Sequence, residues 1–554
     1  MPTVTKSGTT SSATPVFNPL AISGCQLWLS TRYPETMITD GAAKFSNNQY
    51  LTIANNSTLQ TGHTNWWISF WVNGTQTQTN NWCRVISRVN GWQAAANTEF
   101  YIGGYNFSSA YNINLYISDG TTLVNNAYQY FTKDVWNHIF CWYNPSTKRG
   151  YMMSPNGNIA PTGVLPNNMQ TGNYSFDVGN PPVTCDYSLD SVAFGKSSTN
   201  LGDGSAGSLA KTIRDYLYNS GSGRIYSSLS SQQKTDWGLV SWWDLNESTG
   251  TRKDSHGSNN LTASASSPTV ANGIVSGRAT YTGDVISQWS DLSGNNRHVT
   301  QSTASQKPTL QLAAQNGLPG VLSDGVDDFL TQASSTATFN FLHASQGSVF
   351  VVTKPANVAD SVKQSHLLGT NGGASANIGY WFLVDDLSKN QAVRSFITNG
   401  ASGSPSVNNQ SSADLVILNN YQILSEIIDN ANATVGNRSE IRINGGAPIK
   451  NNAAATAPSS SNASFDLQLF SAGNNYVSTV PIVLCEVLIF NQKLTDSQRQ
   501  YIERGLAQAY NLPVSNITPL RCYYGGDPGL GLNENWNLAY SFLPIKTVQG
   551  LIHQ

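Results

Sequence analysis

The sequence predicts an all-β chain built from two antiparallel two-sheet jelly-roll sandwiches, with few short helices. Two observations lead to this fold class. Short runs of β-branched and aromatic residues recur along the 554 residues, separated by Asn, Gly and Asp, which is the pattern of strands joined by turns. The composition also changes along the chain, because ten of the 14 Trp lie between Trp66 and Trp243. At least two structural units are therefore expected, with a boundary in the Ser/Thr/Asn-rich stretch from Asn259.

The predicted strands are spread over both halves of the chain. They cover residues 66–73, 100–106, 113–118, 135–144, 348–354, 380–385, 440–445, 465–473 and 482–490. Only two segments have the apolar spacing of an amphipathic helix. The first begins at Ser208, and the second opens with Thr495 as its N-cap and ends ahead of Pro513. Each predicted helix closes a long series of strands.

The charge of the chain is low and nearly balanced. Thirty Lys and Arg face 32 Asp and Glu, so the formal net charge is -2 and charged residues make up 11% of the chain, compared with about 25% in ordinary globular proteins. This balance argues against a nucleic-acid-binding surface, which needs clustered positive charge. Neutral polar side chains dominate instead, as they do in many proteins that contact glycans.

The sequence also bears on membranes and export. Its longest apolar stretch, residues 481–490, is about half of the roughly 20 residues that a membrane-spanning helix needs, so no membrane insertion is expected. The first 20 residues contain one Lys and lack an apolar core, so we expect no secretory signal. A chain of this kind either stays inside the cell or leaves it by lysis or another non-standard route.

Three segments in the second half carry a recognisable series of motifs. Residues 285–301 contain Trp-Ser-Asp-Leu-Ser-Gly-Asn, residues 307–331 contain Asn-Gly-Leu-Pro followed by Asp-Gly-Val-Asp-Asp, and residues 485–512 combine a closing strand with a terminal helix. In this order they resemble the laminin G-like branch of the concanavalin A-like lectin/glucanase superfamily. Residues 38–53 and 237–262 resemble the opening and closing segments of a further copy. The resemblance implies two jelly rolls.

The position of one motif implies that the two jelly rolls are nested. Members of this family normally have a Leu-Trp-Leu strand just before the Trp-Ser-Asp opening, but here it lies at residues 23–31. We therefore expect an outer jelly roll formed by residues 18–33 and 279–512, interrupted by a Trp-rich jelly roll at residues 34–278. Residues 1–17 are a predicted N-terminal arm, and residues 513–554 are a tail expected to contact other subunits. The alternative is two domains in tandem.

The resemblance also implies a function. Proteins with this pairing of motifs and no secretory signal resemble bacteriophage virion proteins of the tail-fibre, receptor-binding or head-decoration type. We therefore expect a non-enzymatic, homo-oligomeric virion surface protein that binds other virion proteins and adheres to host or environmental glycans. It would be assembled in the host cytoplasm and become extracellular after lysis. Two alternatives remain: a purely structural virion subunit, and a cellular surface lectin or glycan-degrading enzyme.

Enzymatic activity is not expected. Glycan hydrolysis requires two carboxylates across a cleft, about 5–9 Å apart, which an alternating Glu-x-Asp-x-x-Glu strand would supply. The sequence contains no such strand, and it lacks the Gly-x-Ser-x-Gly, His-Glu-x-x-His and paired Cys-x-x-Cys motifs. No catalytic residue is therefore predicted.

Candidate glycan-binding residues follow from the chemistry of sugars. A sugar presents a C–H face that packs on an aromatic ring, and hydroxyls that bond to Asn, Asp or Gln. Trp82, Trp92, Tyr105 and Tyr111 lie in Asn- and Gly-rich surroundings typical of loops. These four aromatic residues are the predicted ligand contacts.

The only candidate cofactor is calcium. Several members of the family bind it through carboxylates and backbone carbonyls, the oxygen ligands that a hard cation prefers. Asp324, Asp327 and Asp328 are the candidate ligands in this sequence. The alternative is that these side chains cap a tight turn, because Asp readily bonds to its own backbone.

Overall fold

The computed structural model describes residues 17–46, 49–74, 82–90, 94–106, 110–179, 186–356, 364–385, 391–400 and 405–515. The chain divides into two compact units, residues 1–516 and 517–554. The second unit, and with it most of the predicted C-terminal tail, lies outside the described residues. So does nearly all of the predicted N-terminal arm.

The first unit is mostly strand. Its strands up to residue 197 are Cys25–Ser30 (β1), Met37–Phe45 (β2), Tyr50–Ile53 (β3), Asn65–Gly74 (β4), Trp82–Val89 (β5), Thr98–Asn106 (β6), Ala110–Ser118 (β7), Leu123–Thr132 (β8), Asn137–Asn144 (β9), Arg149–Met153 (β10), Ile159–Pro161 (β11), Phe176–Gly179 (β12) and Tyr187–Ser197 (β13). The next are Leu239–Trp243 (β14), Thr262–Ala263 (β15), Thr269–Arg278 (β16), Gln288–Trp289 (β17), Val299–Thr300 (β18), Thr309–Gln315 (β19), Leu318–Ser323 (β20) and Leu330–Gln332 (β21). The last are Gln346–Pro355 (β22), Gln364–Gly369 (β23), Ile378–Asp385 (β24), Ala392–Asn399 (β25), Val407–Gln410 (β26), Gln422–Asp429 (β27), Ser439–Ile443 (β28), Leu467–Leu469 (β29) and Ile482–Phe490 (β30).

The α-helices of the described residues are few and short. They are Leu209–Tyr218 (α1), Ser231–Asp236 (α2), Phe341–Ala344 (α3) and Asp496–Tyr510 (α4). The two predicted helices are confirmed, since Ser208 caps α1 and Thr495 caps α4 by accepting from backbone N–H groups. Helix α1 ends at Asn219, whose backbone adopts the left-handed conformation. None of these helices is long and apolar enough to cross a membrane.

The strands form three sheets that make two sandwiches, which confirms the predicted fold class. One seven-stranded sheet has the order β15-β3-β12-β5-β6-β7-β8, and another has β19-β20-β30-β22-β27-β28 with β1 added to β30. Between them runs a 16-stranded sheet of order β11-β10-β9-β4-β13-β2-β17-β18-β21-β29-β23-β24-β25-β26, to which β14 and β16 add. One continuous sheet therefore serves both sandwiches.

The hydrophobic residues form one core in each sandwich. The first core contains buried residues from Ala43 to Leu261. The second contains Leu27 and Leu29 of β1 together with residues 279–489. Strand β1 pairs with β30, so the chain begins the second sandwich, builds the first, and then returns.

Strand β2 belongs to both sandwiches. Met37, at its start, lies in the second core, whereas Ala43 and Phe45, near its end, lie in the first. Its start pairs with β17 and its end pairs with β13. The predicted boundary at residue 34 therefore falls just before a strand that joins the two sandwiches edge to edge.

The helices cover the outer faces of two of the sheets. Ile213 and Leu217 of α1 pack with Trp67, Phe140 and other buried residues on the outside of the first half of the 16-stranded sheet. Ile502 and Leu506 of α4 pack with Leu488 on the outside of the sheet that contains β30. The outward side chains of strands β5 to β8 differ from those on the two sheet faces that α1 and α4 cover.

Two buried carboxyl groups face each other where the sandwiches meet. Glu247 forms an isolated antiparallel bridge with Asp284, and both side chains are buried. Burial, together with the charge of Asp284, raises the pKa of Glu247 to about 7. Burial, together with Asp244, raises the pKa of Asp284 to about 6. The nearest described cation, Arg252, has its Nε 4.0 Å from a Glu247 oxygen.

These raised pKa values predict a joint that is more stable in mild acid. Because the folded chain holds these protons more tightly than the unfolded chain, their stabilising contribution is lost as the pH rises through about 6 to 7. We expect Glu247→Gln to raise the free energy of unfolding at pH 8 by about 1–2 kcal/mol and to reduce the gain between pH 8 and pH 5. Urea unfolding at both pH values measures this, with the exposed Glu35→Gln as control. Asp244, Asp284 and Tyr281 are the other titratable groups nearby. If Glu247→Gln kept the pH dependence of the native chain, that dependence would come from these groups, and its assignment to Glu247 would be wrong.

Candidate functional site

The outward face of the edge strand β8 displays two tyrosines. Tyr128 is 46% exposed and Tyr130 is 63% exposed, and their ring centroids lie 5.9 Å apart in an edge-to-face arrangement. Ala127 and Phe131 alternate with them and are buried in the first core. Since successive side chains of a strand point to opposite faces, the packing of Ala127 and Phe131 fixes both tyrosine rings outward.

Two amide side chains lie on the neighbouring strand. Asn112 of β7 pairs with Tyr130, and Asn114 pairs with Tyr128. Asn114 Nδ2 donates to Asn112 Oδ1 at 2.9 Å, so each amide limits the rotation of the other. Directly opposed residues on paired strands are close enough for their side chains to interact. The two amides therefore lie beside the bases of the projecting tyrosine rings.

A second pair of tyrosines continues this surface. Tyr116 of β7 stacks on Tyr101 of β6 with ring centroids 4.1 Å apart. Tyr101 is buried and Tyr116 is half-buried, so this second pair is less exposed than Tyr128 and Tyr130. We call the surface formed by Tyr116, Tyr128, Tyr130, Asn112 and the largely buried Asn114 the tyrosine face. It combines apolar rings with neutral hydrogen-bonding groups.

The backbones of three of the four glycan contacts predicted from the sequence lie in strands of the same sheet as this face. Trp82, Tyr105 and Tyr111 belong to β5, β6 and β7, so the expectation that they lie in loops was wrong. The backbone of Trp82 pairs with Tyr105, and Tyr105 pairs with Asn112. The side chains of these three residues, and all of Trp92, lie outside the described residues. Their role in ligand binding stays a prediction.

Sequence reasoning missed Tyr128 and Tyr130. The signal was present, because residues 127–131 read Ala-Tyr-Gln-Tyr-Phe, an alternation typical of a strand with one buried face. What the alternation could not show is which face is covered by other elements. That depends on α1 and α4 packing on other sheets.

The three predicted calcium ligands do come together. Asp324, Asp327 and Asp328 lie in the connection between β20 and β21, and their carboxylate oxygens lie within 4.8 Å of one another. Burial and the charge of Asp324 raise the pKa of Asp328 to about 7 and also raise the pKa of Asp327. Crowded carboxylates of this kind match the ligand chemistry of calcium.

The same loop also shows the turn contacts of the alternative interpretation. Asp324 Oδ1 accepts from the backbone N–H of Val326 at 2.8 Å, and Asp328 Oδ2 accepts from the N–H of Asp324 at 2.8 Å. Turn capping therefore accounts for one carboxylate oxygen of Asp324 and one of Asp328. Calcium binding stays a prediction. Isothermal titration calorimetry with calcium, carried out on the native chain and on an Asp327→Asn variant, tests it.

Comparison with known proteins gives fold likeness alone. No protein-family model matches the chain, and no curated protein matches it in sequence. Among solved structures, a putative carbohydrate-binding protein from Bacteroides ovatus is 12% identical with a TM-score of 0.30; the match covers 43% of this chain and 60% of that protein. The CBM40 domain of the Ruminococcus gnavus IT-sialidase is 14% identical with a TM-score of 0.25, covering 32% of this chain and 93% of that domain. A pentraxin from Limulus polyphemus is 10% identical with a TM-score of 0.23, covering 41% of this chain and 96% of that protein. Likenesses at this level carry no information about what this chain binds.

Proposed function

We propose that this chain is a non-enzymatic glycan-binding protein that acts through the tyrosine face. The observation that carries the proposal is the pair of exposed rings, Tyr128 and Tyr130, standing beside the linked amides of Asn112 and Asn114. An exposed tyrosine offers apolar area together with a hydroxyl that prefers a hydrogen-bonding partner. The C–H face of a sugar fits the ring, and its hydroxyls fit the amides.

The charge of the tyrosine face favours a neutral sugar. Its five residues are tyrosines and asparagines, with no carboxylate, lysine or arginine among them, so recognition depends on packing and hydrogen bonds. A single open site of this kind binds weakly. Many copies displayed together would raise the overall affinity without any new contact.

The proposal places those copies on a bacteriophage particle, as a tail-fibre or head-decoration component. This placement rests on the resemblance of residues 285–331 and 485–512 to laminin G-like virion proteins. Mass spectrometry of purified particles, followed by immunogold electron microscopy, tests it. The chain should be found on intact particles; its absence from them would favour a cellular lectin.

Removing the exposed rings should weaken glycan binding strongly. We expect Tyr128→Ala combined with Tyr130→Ala to lower the apparent affinity for glycans by at least about tenfold. Losses of this size are found when an aromatic residue that dominates the binding energy of an interface is replaced by alanine. Both residues are exposed, so the variant should fold normally. A glycan microarray probed with the native chain and the variant measures the effect.

The matched control is Tyr476→Ala in the second sandwich, where the tyrosine is 45% exposed. It should keep native binding. Equal binding by all three proteins would contradict the assignment to the tyrosine face, and binding of no glycan by the native chain would favour a purely structural subunit. Release of free sugar from a bound glycan would contradict the non-enzymatic part of the proposal.

A further inference from the structure

An open groove of about 560 Å³ lies where the two sandwiches join. Its lining includes Asp40 of β2, Ser276 of β16, Gln288 of β17, Thr300 of β18, and Phe329 and Thr331 at β21. We call this the junction groove. Among the described strands, β16 pairs only with β2, and β17 joins β2 to the second sandwich. Residues of both sandwiches therefore line the groove.

Asp40 is the one residue of these six that carries a carboxylate, and a buried lysine neutralises its charge. Lys307, whose side chain is fully buried, forms an ion pair with Asp40 and also donates to Asn272 Oδ1 at 2.7 Å. The Asp40 side chain itself remains 31% exposed. Lys307 holds the Asp40 carboxylate in place and balances its charge. The carboxylate can therefore accept a hydrogen bond from a ligand, but it does not attract a cation.

Several polar groups in the junction groove retain hydrogen-bonding capacity. Within the described ranges, the hydroxyls of Ser276 and Thr300 form no side-chain hydrogen bond. Gln288 uses its Nε2 to donate to Ser290 Oγ at 2.9 Å, which leaves its carbonyl oxygen as an acceptor. Thr331 Oγ1 accepts from Gln468 Nε2 at 3.1 Å, which leaves its O–H as a donor.

Apolar groups complete the lining of the groove. Phe329 is largely buried, and Ile38 of β2 also lines the groove. Ligand sites usually measure about 300–1,000 Å³ and combine apolar lining with a few placed polar groups. The junction groove has that size and that combination, with donors and acceptors from strands of both sandwiches.

We propose that the junction groove is a second binding site, for a small neutral polyhydroxylated ligand such as a single sugar residue. Its hydroxyls would donate to Asp40 and Gln288 and accept from Thr331 and Thr300, and its C–H groups would contact Phe329. Because such a ligand contacts both sandwiches, it binds the folded joint and stabilises it by mass action. This site does not depend on the tyrosine face.

Saturation-transfer difference NMR of the full chain tests the proposal. The probes are glucose, galactose, N-acetylglucosamine, rhamnose and glycerol at millimolar concentration. Ser276→Trp fills the groove from an exposed position, and its matched control is Ser412→Trp. Ser412 is exposed and follows β26, at the opposite end of the second sandwich's part of the sheet.

At least one probe should give a signal with the native chain that is lost in Ser276→Trp and kept in Ser412→Trp. The same signal should persist in the Tyr128→Ala, Tyr130→Ala double variant, which separates this site from the tyrosine face. If no probe gives a signal, or if Ser276→Trp leaves every signal unchanged, the groove is not a sugar site. Loss of all signals in the tyrosine double variant alone would assign binding to the tyrosine face and overturn the proposal.

Discussion

Replacing Glu486 with alanine should lower the free energy of unfolding by about 3–5 kcal/mol, the range for a broken buried ion pair. Glu486 of β30 is fully buried. Its Oε1 accepts from Trp28 Nε1 at 2.8 Å and from Arg32 Nη2 at 2.7 Å. Its Oε2 accepts from Ser30 Oγ and from the Tyr510 hydroxyl, both at 2.7 Å. One carboxylate therefore ties β1, β30 and α4 together.

The size of this effect follows from what the substitution leaves behind. Arg32 would remain as a largely buried charge, with only 12% of its side chain exposed. The buried indole N–H of Trp28 would lose the acceptor that Glu486 supplies. Burial and the Glu486 charge raise the pKa of Tyr510 well above its usual value, and its hydroxyl would keep the backbone carbonyl of Cys485, at 2.9 Å, as an acceptor. An unsatisfied buried donor costs about 1–3 kcal/mol.

Urea unfolding followed by tryptophan fluorescence measures the loss. Glu35→Ala removes an exposed carboxylate from the segment after β1 and should change the free energy of unfolding by less than about 0.5 kcal/mol. Glu486→Gln should fall between these two, because the amide keeps one acceptor. A Glu486→Ala protein as stable as the Glu35→Ala control would show that β1 does not depend on this network.

Breaking the ion pair between Arg88 and Glu99 should have a comparable effect in the first sandwich. Both side chains are fully buried, and Arg88 Nε lies 2.8 Å from Glu99 Oε2. Glu99 also accepts from Thr61 Oγ1 at 2.9 Å and from the Gly172 N–H at 2.5 Å. The pair thus fastens the β5–β6 hairpin to two connecting segments. We expect Glu99→Ala to cost about 3–5 kcal/mol.

A double replacement separates the charge effect from the packing effect. Arg88→Met with Glu99→Leu removes both charges and keeps apolar volume, so it should be less destabilised than Glu99→Ala alone. Arg88 Nη1 has no hydrogen-bond partner among the described residues, which adds to the cost of burying the charged pair. Chemical unfolding of the three proteins measures the difference. If the double variant is the least stable, the pair is a net stabiliser and the charge argument fails.

Much of the fold could be predicted from sequence because its signals are local. Strand alternation and the caps at Ser208 and Thr495 act over a few residues. The acidic turn was found for the same reason, since Asp324 and Asp328 are close in sequence. Helices α2 and α3 were missed because six and four residues are too few to establish a helical period.

The joint and the tyrosine face depend on contacts distant in sequence. Nothing in the local pattern of β2 shows that its start packs with residues after 279 while its end packs with the first core. Exposure of Tyr128 and Tyr130 likewise depends on which sheet faces the helices leave uncovered. Such facts come from tertiary packing.

The most direct test of glycan binding by the tyrosine face is a crystal structure of the chain with the glycan that binds most strongly on the array. We expect a sugar ring packed on Tyr128 or Tyr130, with hydroxyls bonded to Asn112 or Asn114. A sugar bound elsewhere, with the tyrosine face empty and accessible in the crystal, would contradict it.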